Sequence, residues 1–264
     1  MPKFAANLSF LFNEYDFLDK FEYASKAGFK GVECASPYEY DKHQLVDILG
    51  SNDLTQVLFN LPAGDWANGE RGIGCLPDRV SEFQEGVGIA LEYALALGCE
   101  RVNCLAGIRP DDLSEEEANE TMISNLEYAG PILDRSNVKL VVESINTIDV
   151  PGFFLNTSDQ AVRMLDELDC DNVSLQHDLY HMQIMEGCLA ETLKTNLDII
   201  SHIQIAGVPG RHEPNEKQEI NYPYILDLLD QAGYSRWVAC EYRPHGDTLA
   251  GLGWAAPYGI RPIR

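Results

Sequence analysis

Residues 139–143 read Lys-Leu-Val-Val-Glu: three consecutive apolar residues, two of them β-branched, closed by a carboxylate. An apolar run without alternation suits a strand buried on both faces, as in a parallel sheet covered by helices. Seven further runs of similar length have strand character: Phe4–Leu8, Gly31–Cys34, Thr55–Asn60, Arg101–Leu105, Val173–Asp178, His202–Ile205 and Trp237–Glu241. Between them apolar residues recur at helical spacing, as in Phe17, Phe21 and Ala24 before Gly28, or Val80, Phe83, Val87, Leu91 and Ala94 before Gly98. Each of those glycines suits a helix C-terminus. Ser114 with Glu117 has the spacing of a capping box, and Ser158 or Asn221 could cap the helices after them.

Eight strand–helix units of about 33 residues each predict a closed (β/α)8 TIM barrel, formed as a single domain over residues 1–264. An open doubly wound sheet is the alternative. It is disfavoured because no glycine-rich loop follows the first strand and no G-x-x-x-x-G-K-[ST] occurs. Proline and glycine cluster at Asn60–Pro77 and Ala206–Asn221, which predicts two long βα loops.

Composition narrows the function classes. The 264-residue chain is 45% hydrophobic and 23% charged, which suits a globular fold. It has no apolar run near the roughly 20 residues of a membrane span, and its opening MPKFAANLSF lacks secretory-signal features, so a cytoplasmic location is expected. Lys and Arg number 19 against 42 Asp and Glu, a formal charge of −23, which opposes a nucleic-acid partner. An anionic substrate then requires a local cation, so the few arginines are informative. The seven cysteines form no C-x-x-C pair and are expected to be mostly buried thiols.

In a barrel of this kind the C-terminal strand ends face the active site. Glu143 ends the fifth predicted strand, Asp178 the sixth and Glu241 the eighth, and Gln204 lies near the end of the seventh. Oxygen donors without thiolate suit a hard divalent cation, Mg2+ or Mn2+. Three carboxylates brought together would repel each other unless a metal or protons neutralised them. Solvated acids at loop starts are the bland alternative; one such acid alone would more often be bland, but four polar strand ends on consecutive strands favour a site.

Several stretches carry a resemblance: FAANLSFLF at the start, FNLPAGDWANGERGI, ALEYALALGC, ESINTIDVPGFFL, HDLYHMQ, HIQIAGVPGRHEP with EINYP, and CEYRP with GLGW. Through them nearly the whole chain resembles the hydroxypyruvate isomerase family, within the xylose isomerase-like TIM barrels. The resemblance implies a divalent metal held by Glu143, Asp178, Gln204 and Glu241, with Glu143 and Glu241 as the proton-transfer pair. It implies an aldose–ketose type isomerase that converts hydroxypyruvate and tartronate semialdehyde through an enediol. Ser144 stands where the family more often has proline. Gly207 follows IQIA, where many hydroxypyruvate isomerases carry an acid and the related 2-oxotetronate isomerases do not. A 2-oxotetronate is therefore the alternative substrate, and a ketose 3-epimerase acting on a neutral sugar a weaker one.

His181, three residues after Asp178, is a candidate for contact with the substrate hydroxyl or developing oxyanion, against the alternative of a packed loop histidine. Arg71 and Arg211, in the two long loops, rank equally as partners for a substrate carboxylate, although each would also suit a pairing with Glu70 or Glu213. His212 and Glu213 are alternatives for ordering the second loop. Trp66 and Phe12 are candidates for an apolar wall, with core packing equally open to them. Glu33 and Asn103 could face the mouth, but nothing in their pattern assigns them a role. The C-terminal GLGWAAPYGIRPIR shows no clear strand or helix pattern and either covers the barrel or reaches a neighbouring subunit, which leaves a homo-oligomer open.

Overall fold

A computed structural model of the chain describes residues 3–261. Eight strands form a closed parallel barrel in sequence order: β1 (Lys3–Asn7), β2 (Gly31–Cys34), β3 (Thr55–Asn60), β4 (Arg101–Cys104), β5 (Lys139–Glu143), β6 (Val173–Asp178), β7 (Ile200–Ile205) and β8 (Trp237–Cys240). β1 closes the barrel by pairing with β8, which sets Ala6 opposite Cys240. The helices are α1 (Lys20–Lys26), α2 (Lys42–Ser51), α3 (Val80–Leu97), α4 (Glu115–Asp134), α5 (Ser158–Glu167), α6 (Leu179–Met185), α7 (Leu189–Asn196), α8 (Tyr222–Gln231) and the short α9 (Thr248–Gly251). None of the described helices is long and apolar enough to cross a membrane.

Two packing layers explain why the strands are apolar almost throughout. Alternate residues face the helices, and their side chains form the large buried cluster outside the sheet. The others point inward. Ala5, Val57, Leu58, Val141 and Ala239 fill the lower barrel as a separate cluster against Trp237. Gly31 is required there by close approach, because a Cβ would come within 2.7 Å of the Trp237 ring and 2.8 Å of Val57.

The two-residue strand period then lifts Asn7 above Ala5, Glu143 above Val141 and Glu241 above Ala239. Asn7, Glu33, Asn103, Glu143, Gln176, Asp178, His202, Gln204 and Glu241 are all buried. The barrel thus has an apolar lower interior and a polar upper one.

Most predicted strand bounds match within a residue. β7 starts two residues earlier than its predicted start at His202, because Ile200 already pairs with Leu175. β8 ends at Cys240, but the Glu241 N–H still donates to the Ile205 carbonyl (3.1 Å), so Glu241 keeps its inward direction. Ser114 caps α4, its Oγ accepting from the Glu117 N–H (3.1 Å), and Asn221 caps α8. Thr157 rather than Ser158 caps α5, with its Oγ accepting from the Gln160 N–H (3.2 Å). The C-terminal segment, which has no clear pattern in the sequence, forms a 3-10 helix over Leu252–Tyr258. It covers the outside of β1, with the Trp254 and Tyr258 rings 5.9 and 5.1 Å from Phe4. Residues 262–264 of that segment lie outside the described residues.

Candidate active site

A cavity of about 940 Å3 opens at the C-terminal ends of the strands. Glu143, Gln204, Glu241, His181, Arg211 and Arg71 all line it. Asp178 lies just beneath, fully buried. The register explains the convergence: Glu143 is opposite Gln176, and Asp178 is opposite Gln204, on three successive strands.

Each acid has a defined set of partners. The Glu143 Oε2 accepts from Asn103 Nδ2 (3.0 Å). Glu241 Oε2 accepts from Asn7 Nδ2 (2.7 Å) and also from Gln204 Nε2, while its Oε1 accepts from Arg211 Nη2. Asp178 ends β6 and caps α6: its Oδ1 accepts from the Tyr180 N–H (2.8 Å), and its Oδ2 lies 3.4 Å from Arg211 Nη2. The same cap explains the spacing of His181, which falls in the first turn of α6 and is 3.5 Å from Asp178 Oδ2 and 3.9 Å from Glu143 Oε1 through its Nε2.

Charge is the dominant feature. Burial pushes the Glu143 carboxyl well above its ordinary range, and the nearby Glu241 and Asp178 push it further. Burial likewise raises Asp178 to about 6 and Glu241 to about 8, with Arg211 opposing both shifts. Burial and the Arg211 charge lower His181 well below its usual value, so the imidazole is neutral. One guanidinium does not offset three carboxylates. Glu143, Asp178 and His181 also offer ligand atoms within 4.8 Å of one another, all buried. This oxygen-rich, charge-deficient donor set suits a hard divalent cation.

The two loop arginines separate in the structure. Arg211 is buried among the acids, its guanidinium 4.6 Å from the Phe10 ring centroid and 5.1 Å from that of Tyr180, and it does not pair with Glu213. Glu213 instead accepts from the His245 N–H (3.0 Å), and His212 stacks on His245 at 3.7 Å. Arg71 stays at the cavity wall, stacked 4.1 Å from the Trp66 ring and donating to the Trp66 and Glu70 carbonyls (3.1 and 2.7 Å). The Glu70 carboxylate is taken by Arg79 (2.7 Å), which leaves Arg71 without a carboxylate partner among the described residues.

Trp66 lines the mouth, but Phe12 is fully buried and packs edge-on against Phe29, so the wall is contributed by Phe10 instead. Glu33 lies inside the barrel rather than at the mouth. It accepts from Asn7 (2.8 Å), Gln204 (2.7 Å) and His202 Nε2 (2.6 Å), and so shares two donors with Glu241. Sequence reasoning missed Asn7 and His202, whose one available signal is that each stands two residues from another inward-facing strand position. Arg243 of the CEYRP stretch also lines the cavity. Ser144 donates from its Oγ to the Thr157 carbonyl (2.9 Å) and ties β5 to the start of α5.

The family model of the xylose isomerase-like TIM barrels matches residues 21–258. A hydroxypyruvate isomerase from Escherichia coli (strain K12) is 48% identical over 98% of this chain and 100% of its own. A 2-oxo-tetronate isomerase from Cupriavidus necator is 46% identical over 98% of this chain and 99% of its own. A crystal structure described as an AP endonuclease, family 2, from Brucella melitensis superposes with a TM-score of 0.95 at 46% identity, covering 98% of this chain and 99% of that one. The chain belongs to the xylose isomerase-like TIM barrel family, as an isomerase of the group that contains the hydroxypyruvate and 2-oxo-tetronate isomerases.

Proposed function

We propose that the protein interconverts hydroxypyruvate and tartronate semialdehyde, with Glu143 and Glu241 exchanging protons with the two neighbouring substrate carbons. The observation that supports this reading is the convergence of two buried carboxylates from β5 and β8 on one cavity, each held by side-chain donors. Such a pair can divide the work of an enediol isomerisation. One carboxylate removes a proton from the carbon bearing the hydroxyl, and the other returns one to the former carbonyl carbon. The hydroxyl proton moves to the neighbouring oxygen, so atoms balance between the two isomers.

Glu143, Asp178, Gln204 and Glu241 would hold Mg2+ or Mn2+, with the amide oxygen as the contribution of Gln204. When bound, the cation supplies electrostatic stabilisation to an enediolate. His181 contacts a substrate oxygen, and Arg71 with Arg211 supplies positive charge for the carboxylate. Arg71 is the better placed of the two for direct contact, because Arg211 is already engaged by Glu241 and Asp178. Trp66 and Phe10 shield the reacting carbons from water. A small anionic hydroxy-oxo acid fits this set of cations better than a neutral ketose. The charge of −23 disfavours a nucleic-acid substrate of the kind an endonuclease requires.

The test is NMR in D2O with metal-loaded protein, hydroxypyruvate and a 2-oxotetronate in parallel, and the Glu241→Gln variant as control. Deuterium incorporation with isomer formation, abolished in the variant, is expected, and the faster acid names the substrate. Turnover of neither acid by folded, metal-loaded protein would overturn the oxo-acid assignment. Faster turnover of the 2-oxotetronate, the outcome that Gly207 favours, would move the assignment to that substrate with the chemistry unchanged.

A further inference from the structure

We propose that Asn146 is a positioning residue that fixes the tautomer of His181, so that His181 presents Nε2–H to the cavity as a hydrogen-bond donor and does not act as a metal ligand. The groups around Asn146 have directions that are not open to choice. The Asn146 Oδ1 accepts from the backbone N–H groups of Ile148 (3.0 Å) and Asp149 (2.7 Å). Those donors orient the amide, leaving Nδ2 to face Asp149 Oδ2 (3.2 Å) and His181 Nδ1 (2.6 Å). The Asp149 carboxylate, which also accepts from the Tyr180 hydroxyl (2.9 Å), reinforces the same orientation.

His181 Nδ1 therefore faces a side-chain N–H. It also faces the backbone N–H of Asn146 at 3.3 Å, which can only donate. With two donors aimed at it, Nδ1 must present its lone pair, and the ring proton resides on Nε2. Both residues are buried, Asn146 at 0% and His181 at 1% exposure, so water does not compete for these positions.

Geometry alone makes His181 a candidate third ligand beside Glu143 and Asp178. Ligation through Nε2 would need that nitrogen to lose its proton while Nδ1 still accepted from Asn146, which would leave an imidazolate. Donation is the role the surroundings permit. That its recipient is a substrate oxygen rests on the isomerase reading above; the tautomer does not.

The first measurement is a long-range 1H–15N correlation spectrum of 15N-histidine-labelled, metal-free protein, with His181 assigned by its loss in His181→Gln. The Nε2–H pattern is expected, unchanged when Mg2+ is added. An Nδ1–H or imidazolium pattern, or an Nε2 that loses its proton on Mg2+ addition, would overturn the proposal. The second arm is Asn146→Asp, which retains an acceptor for the two turn N–H groups but turns an oxygen towards Nδ1. His181 is expected to gain a proton on Nδ1 and kcat to fall about tenfold or more with KM little changed; an unaltered tautomer in the folded variant would also overturn it. If that variant does not fold, the wild-type spectrum decides. Should neither oxo acid be turned over, the spectrum still reports the tautomer, so failure of the isomerase reading is distinguishable from failure of this one.

Discussion

Burial raises Asp178 to about 6 and Glu241 to about 8, in both cases against the pull of Arg211. A carboxyl whose folded pKa is raised contributes stability that is fully present below its unfolded value and is lost as pH rises through the folded one. The buried His177 and His181, with lowered pKa values, oppose this trend only below about pH 6.5, so metal-free protein is expected to show a falling Tm between about pH 6.5 and about pH 8, with a shallower fall in Mg2+ or Mn2+. A Tm that stays level across that window without metal would contradict the assigned environments. Arg71 gives a kinetic prediction. Its guanidinium is stacked on Trp66 with no carboxylate partner among the described residues, so Arg71→Met is expected to raise KM for the oxo acid roughly tenfold or more, with a smaller effect on kcat. Steady-state kinetics of the purified variant would check it.

At the scale of elements, the strand ends position the acids and the helix starts brace them. Asp178 serves both purposes, since its two oxygens divide between the Tyr180 N–H and the Arg211 guanidinium. Ser114 has only the bracing role at the start of α4, on the exposed rim. Ser114→Ala is expected to cost about 1 kcal/mol in urea unfolding, with kcat unchanged because no site residue belongs to that helix. The loops behave differently from the helices. Residues 206–221 carry Arg211 across into the acid cluster, where its backbone oxygen also accepts from the Arg243 N–H (2.6 Å). A loop with little regular structure thus delivers a buried positive charge to the site.

For the whole molecule, the formal charge of −23 is the largest electrostatic fact. Self-repulsion of this size opposes the compact state and is screened by salt. Tm at pH 8, without divalent metal, is expected to rise as NaCl increases from about 0.01 M to about 0.15 M, over which the Debye length contracts from about 30 to about 8 Å. A salt-independent Tm in differential scanning calorimetry would show that the surface acids are too dispersed to matter. Inside the barrel the lower interior is apolar and the charged groups lie in the upper interior, where Arg211 and the asparagines hold them but leave negative charge in excess.

The amino-acid sequence by itself determined the repeated strand–helix order and the placement of Glu143, Asp178, Gln204 and Glu241 at or near the C-terminal strand ends. Both are local properties: apolar runs mark the strands, and a period of two decides which side chains share a face with the residue two positions away. Tertiary structure decided the rest. Arg71 and Arg211 stand equal in the sequence, yet one lies on the cavity wall and the other pairs with Asp178 at the end of β6 and Glu241 just past β8. Glu33 reads as a residue that could face the mouth and is in fact an interior acceptor for Asn7, His202 and Gln204. Asn146 carries no sequence signal for its contact with His181, 35 residues away. Such pairings arise only when barrel closure brings distant strands and loops together, and no local period encodes the partner.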